Sequence, residues 1–315
     1  MEINNMAVTY SSQRQAYGEE LVALGGEDAR VVALEADLSK STMSSLFGAA
    51  YPDRYFEMGI AEQNMMSTAA GLAAAGKIAF ASSFAVFACG RAYDQIRQTI
   101  SIGKLNVKIC GSSAGLSDFG DGSTHQAVED VAVMCAIPNM TVFTPCDANE
   151  TRKAVRAAAA VEGPVYIRVC RNPVADCTAP GDAFVPGGLR VMRDGRDAVI
   201  FAHGLMLEAA LRAAEALEAD GIYAKVVNCG TMKPFDYEGC AALCEGAGAV
   251  VTAEEHTYIG GLASAVALSL RKSAVPMDFT AIMDAFGQSA RNAAELYQSY
   301  GLTAGDIVKK VKGLL

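Results

Sequence analysis

Short runs of β-branched and other apolar residues alternate along this chain with longer, alanine-rich amphipathic stretches. Parallel strands need a long crossover between them, and a helix is the usual one, so this alternation marks βα units on a parallel sheet. In the first half the pattern predicts strands over 31–34, 78–81, 107–110, 141–143 and 165–168, and helices over 14–24, 62–75, 87–100 and 148–161. It stops after Asn172, where three Pro and three Gly fall before residue 189. It then resumes with strands over 198–201, 224–227, 249–252 and 280–283 and helices over 207–219 and 262–273. The expectation is an α/β chain of two domains, 1–172 and a smaller 189–315, joined by a linker over 173–188.

A chain of 315 residues is long enough to bury a core in each half. A net charge of −9 without any Lys/Arg-rich run argues against nucleic acid as a partner. The chain shows no long apolar span and no signal-peptide pattern in its first twenty residues, so no membrane association is expected and the expected location is the cytoplasm. The nine Cys are scattered singly through apolar runs, as at Cys89, Cys110, Cys135 and Cys170, which fits buried thiols. Cys240 and Cys244 stand at helical spacing with no His nearby and are read as packing rather than zinc ligands.

Residues 59–65 read Gly-Ile-Ala-Glu-Gln-Asn-Met, between a turn at Tyr51, Pro52 and Asp53 and a run of small apolar residues over 66–76. Glu62 therefore opens a helix too apolar to be solvated, and a buried acid there needs a hydrogen-bonding partner. A carboxylate placed only to suit the helix dipole is the alternative. Phe84 and Phe87, preceded by Ser82 and Ser83, put two rings on one side, which core packing explains about as well. Gly120-Asp121-Gly122-Ser123-Thr124-His125-Gln126 is a Gly-rich loop holding one of only three His residues. His titrates near neutrality and is able to move protons on a polyol; a polar loop closing a strand is the plainer reading. Asp147 is placed to cap the helix over 148–161, with Glu150 three residues later.

The block from Gly59 through Phe84 and Phe87 to Arg91-Ala92-Tyr93-Asp94-Gln95-Ile96-Arg97 resembles the pyrimidine-binding domain of transketolases. The histidine loop is similar to the Asp-Gly-Pro-Thr-His-Gln loop of transketolases and deoxyxylulose-phosphate synthases, with Ser123 in place of Pro. The segments 226–236 and 252–262 resemble the C-terminal domain that those enzymes share with the pyruvate dehydrogenase beta subunit. The resemblance implies thiamine diphosphate as cofactor. Glu62 would hydrogen-bond the aminopyrimidine, stabilising the imino tautomer that takes the thiazolium proton; Ile60 and Asp37 would lie beside the cofactor, and Phe84 and Phe87 would stack on the pyrimidine. A third aromatic of the family falls at Gly90, leaving that wall thinner or completed by Tyr93 or a partner.

By the same resemblance His125 and Asp121 contact substrate hydroxyls, and Arg14, Ser41 and Arg171 contact hydroxyls or a terminal phosphate, for which the planar guanidinium is suited. The family's additional His falls near Ser113, which leaves substrate preference open. Gly120-Asp121-Gly122 followed by Asn149 imitates the metal–diphosphate motif of thiamine enzymes. It is set aside because Asn149 sits in a capped helix opening and Asp121 in the histidine loop. No metal ligand is assigned to the chain. Gly260-Gly261 is read as a tight helix opening rather than an anion site, and His203 and His256 as structural.

The resemblance covers nearly the whole chain and stops where a transketolase carries its diphosphate domain. It implies the C-terminal half of a split transketolase, moving a two-carbon ketol unit from a ketose or ketose phosphate to an aldose. An N-terminal subunit would hold Mg2+ or Ca2+ in an α2β2 assembly. The alternatives are a deoxyxylulose-phosphate-synthase-like or 2-oxoacid-decarboxylating subunit, and a non-catalytic regulatory subunit.

Overall fold

Residues 9–315 are described by a computed structural model. The larger of two main sheets has seven strands, in spatial order Thr231–Lys233, Thr141–Phe143, Val165–Arg168, Val107–Ser112, Ile78–Phe84, Val31–Glu35 and Tyr55–Glu57. Six run parallel, and the edge strand Thr231–Lys233 runs antiparallel. The second sheet orders Met277–Ile282, Ala249–Thr257, Ala198–Ala202, Ala224–Asn228 and Arg190–Arg193, with the last antiparallel. The central strands are buried along their whole length, as parallel strands covered on both faces must be.

On one face of the large sheet, the helices Gln13–Glu27 and Ala148–Ala160 pack Tyr17, Leu21, Ala154 and Val155 onto Phe80, Phe143 and Ile167. On the other, Met65, Met66, Ile96, Ile100 and Met134 belong to a cluster that continues into Phe201 and Val227 of the second sheet and Leu262 of the helix Leu262–Ser269. One apolar core thus runs through both halves. The edge strand Thr231–Lys233 reinforces it: Lys233 Nζ donates to the carbonyls of Cys135 and Ile137 at 2.9 and 2.7 Å.

Several sequence expectations need correction. The helix over 87–100 is not one α-helix: Val86–Arg91 and Ile96–Ser101 are wound as π-helix on either side of Tyr93–Gln95. The helix over 262–273 ends at Ser269, and the last strand begins at Met277. Within the segment over 173–188, Val174–Ala175 pairs with Tyr10–Ser11. Among the described residues no helix is long and apolar enough to cross a membrane.

Candidate active site

Ligands of open parallel sheets bind beyond the carboxyl ends of the strands. Asp37 follows the strand Val31–Glu35, Ile60 and Glu62 follow Tyr55–Glu57, and Phe84 ends Ile78–Phe84. The histidine loop follows Val107–Ser112, and Arg171 follows Val165–Arg168. The topology therefore delivers these residues to one rim.

Glu62 opens the helix Glu62–Ala74 and is 1% exposed. Its partner is Arg91, whose Nη1 lies 2.7 Å from Glu62 Oε2. The π turn that ends at Arg91 also lays this guanidinium over the Phe87 ring, 4.8 Å from its centroid. Phe84 and Phe87 are near-parallel, with centroids 6.1 Å apart and planes 12° apart. His125 meets both edge-on, at 6.2 Å from Phe84 and 5.3 Å from Phe87. Its Nδ1 is 2.9 Å from Thr124 Oγ1, so Nε2 is the nitrogen left for a ligand. Ile60 is exposed beside Glu62, and Asp37 is exposed in a left-handed backbone conformation with its N–H bonded to Glu57.

Arg171 crosses from Phe84, 5.7 Å from the ring, to Asp118, whose Oδ2 its Nη1 meets at 3.1 Å. Arg14 donates to the Ser41 carbonyl at 3.0 Å, and its Nε has no partner among the described residues. Burial and the neighbouring Arg171 both hold Arg14 below the usual guanidinium range. The two guanidiniums thus stand close enough on one rim to disfavour each other, with Asp118 offsetting part of their charge. Asp121 is exposed, at the start of the short turn Gly122–Thr124.

Three charged groups on or beneath this rim escaped the sequence reading. Arg91 is one, and Asp118, buried and pushed up by that burial against the pull of Arg171, is the second. The third is Glu35, fully buried at the end of its strand, which accepts from Thr42 and Ser44 hydroxyls at 2.6 and 2.5 Å and is pushed up to about 7 by burial. A folded acid that keeps its proton to pH 7 while the unfolded chain loses it at 4.5 costs stability as pH rises between those values. Urea melts are expected to show the stability of Glu35→Gln relative to the unmodified chain rising by about 3 kcal/mol from acid to pH 8. A difference flat with pH would contradict this.

Other expected positions are otherwise engaged. Asn149 Nδ2 donates to Thr178 O at 2.6 Å, and Asp147 caps its helix by accepting from Glu150 N. Glu150 does not return the bond as a capping box would; it accepts from Cys146 N. The helix opening at Gly260-Gly261 is filled from within, since Glu254 accepts from Leu262 and Ala263 N–H groups, and a Cβ at Gly261 would collide with that carboxylate. Tyr93 packs against the core, and a Cβ at Gly90 would meet nothing within 4 Å, so nothing within the described chain occupies the space beside Gly90. Among the described residues no group of three His, Cys, Asp or Glu is placed to hold a metal ion.

Residues 10–175 match the transketolase pyrimidine-binding domain, and 187–307 the transketolase C-terminal domain. A putative transketolase C-terminal section from Methanocaldococcus jannaschii is 42% identical, with 96% of each chain covered. The 6-deoxy-6-sulfo-D-fructose transketolase subunit SqwH of a Clostridium species is 41% identical over 94% of this chain and 92% of that one. A solved structure titled as a split-gene transketolase, inactive beta4 tetramer, superposes with a TM-score of 0.87 at 48% identity, covering 96% of this chain and 98% of that one. Against the rat transketolase, 37% identical, the chain spans 49% of the relative's length.

Proposed function

This chain belongs to the transketolase family, and from that premise we propose that it is the pyrimidine-binding and C-terminal subunit of a split transketolase. With an N-terminal subunit holding the diphosphate and its Mg2+ or Ca2+, in an α2β2 assembly, it transfers a two-carbon ketol unit from a ketose phosphate or similar anionic ketose to an aldose. The observation that carries this reading is the buried Glu62 joined through Arg91 to the Phe84–Phe87 pair, with His125 edge-on to both rings. A buried acid beside an aromatic wall fits an aminopyrimidine, which offers both a ring face and a nitrogen acceptor. Thiamine diphosphate, when bound, supplies the carbon nucleophile that takes up the ketol unit.

In this reading Glu62 holds and donates the proton at the pyrimidine nitrogen. His125 Nε2 handles the protons of the substrate hydroxyls, and Arg14 and Arg171 orient the anionic end. The names of relatives that act on a sulfonated fructose and on apulose 4-phosphate support an anionic sugar as substrate. The test is ketol transfer by the chain reconstituted with its partner, using ketose phosphate and pyruvate as competing donors. Turnover of pyruvate with carbon dioxide release, and none of the ketose, would overturn it.

Arg91 must leave Glu62 before the carboxyl faces the pyrimidine. Its side chain is 46% exposed and free to turn into solvent, while the buried Glu62 keeps a partner only if another group takes the place of Arg91. Arg91→Ala is therefore expected to leave the affinity of the assembled complex for thiamine diphosphate unchanged or higher by calorimetry. A loss of about tenfold or more would assign Arg91 to holding the cofactor instead.

A further inference from the structure

A cavity of about 400 Å³ lies between the chain over 183–191 and the first turn of the helix Ala148–Ala160, and shares no residue with the rim above. Its polar lining is two side chains that offer acceptors, Glu150 and Asn228, and one guanidinium, Arg190. Glu150, 5% exposed, accepts from Cys146 N at 2.7 Å and from Asn228 Nδ2 at 2.8 Å. A carboxylate has room for more donors than these two. Among the described residues no basic side chain lies within salt-bridge distance of it, and the Arg190 guanidinium in the same wall is taken by Asp182 at 2.8 Å. Asn228, 1% exposed, turns its amide N–H toward Glu150, which leaves Oδ1 without a partner among the described residues. The adjacent Asp147 is satisfied by Glu150 N, Thr178 N and Thr178 Oγ1, so the unfilled acceptor capacity is confined to Glu150 and Asn228.

A buried carboxylate without a cation and a buried carbonyl oxygen without a donor are both costly, and a positively charged donor relieves both at once. Apart from Arg190, the remaining side chains of the wall are apolar, among them Phe184, held edge-on to Phe143 at 5.2 Å, and the half-exposed Val191. An aromatic face beside an anion favours a cation with a hydrocarbon body.

We propose that this cavity binds a small organic ammonium ion, whose N–H groups donate to Glu150 and Asn228 Oδ1 while its apolar part lies against Phe184 and Val191. The site is separate from the one assigned to ketol transfer and does not depend on that assignment. The probe is benzylammonium chloride, titrated into the full chain by calorimetry at pH 7.5, with benzyl alcohol as the uncharged control. Saturable one-site binding is expected, with the alcohol weaker by about tenfold or more. Glu150→Gln keeps the shape and removes the charge, and is expected to weaken binding by a similar factor; Val191→Trp, at a position 43% exposed, fills the mouth and does the same without touching the buried polar groups. No saturable heat, equal binding of alcohol and ammonium, or binding indifferent to both variants would each overturn the site.

Discussion

On the proposed function, Glu62→Ala, assayed in the chain reconstituted with a diphosphate-binding partner, is expected to lower ketol transfer by about 10²-fold or more, the scale of a positioned proton donor. The carboxyl is 1% exposed, and its only side-chain hydrogen bond among the described residues is the one to Arg91, so little else in the fold depends on it. Thermal unfolding of the variant is accordingly expected to stay close to that of the unmodified chain, separating lost chemistry from lost structure. Glu62→Gln preserves volume and still donates an N–H, but it has no proton to give and stays well below the unmodified rate. Turnover near that of the unmodified complex in the Ala variant would refute the assignment of Glu62.

The largest loss of stability is expected at Arg168. Its side chain is 6% exposed, between Asp130 at 0% and Glu255 at 1%. Nε meets both Asp130 oxygens at 3.2 and 3.1 Å, Nη2 donates to the Glu255 carbonyl at 2.9 Å, and Tyr166 donates to Asp130 at 2.7 Å. Burial pulls the guanidinium down, but Asp130 and Glu255 more than reverse this and hold it above its ordinary value. Glu255 is itself pushed up to about 7 by burial, against the pull of Arg168. Arg168→Ala would leave two buried carboxylates facing each other across a cavity. The expected cost is about 3–5 kcal/mol in urea unfolding of the full chain. A cost below about 1 kcal/mol would show that the charges are screened by water.

The parallel sheets were legible because their strands are apolar on both faces, as at Val107, Ile109 and Cys110, and because turns and caps bound the helices between them. Short edge strands were not. Tyr55–Glu57 has no full-length apolar run, and Arg190–Arg193 carries Arg at both ends. Thr231–Lys233 escaped for another reason: its neighbours in sequence belong to the second sheet, and only tertiary pairing with Thr141–Phe143 makes it a strand. At the rim, local motifs singled out Glu62, Phe84, Phe87 and His125, and the structure sets them beside one another. The Arg91 contact was not, since it depends on a π turn that shifts the side chain relative to ordinary helical spacing. Asp118 and Glu35 were invisible because their significance is burial, and nothing in the neighbouring residues announces it.

The strand Thr231–Lys233 also bears on how such a chain can be divided and recombined. Severing it within 173–188 would strip the larger sheet of its last strand and leave Thr141–Phe143 with unsatisfied backbone groups at an uncovered margin, open to pairing with foreign chains. The two halves match separate family domains, yet neither is a cassette that can be lifted out intact.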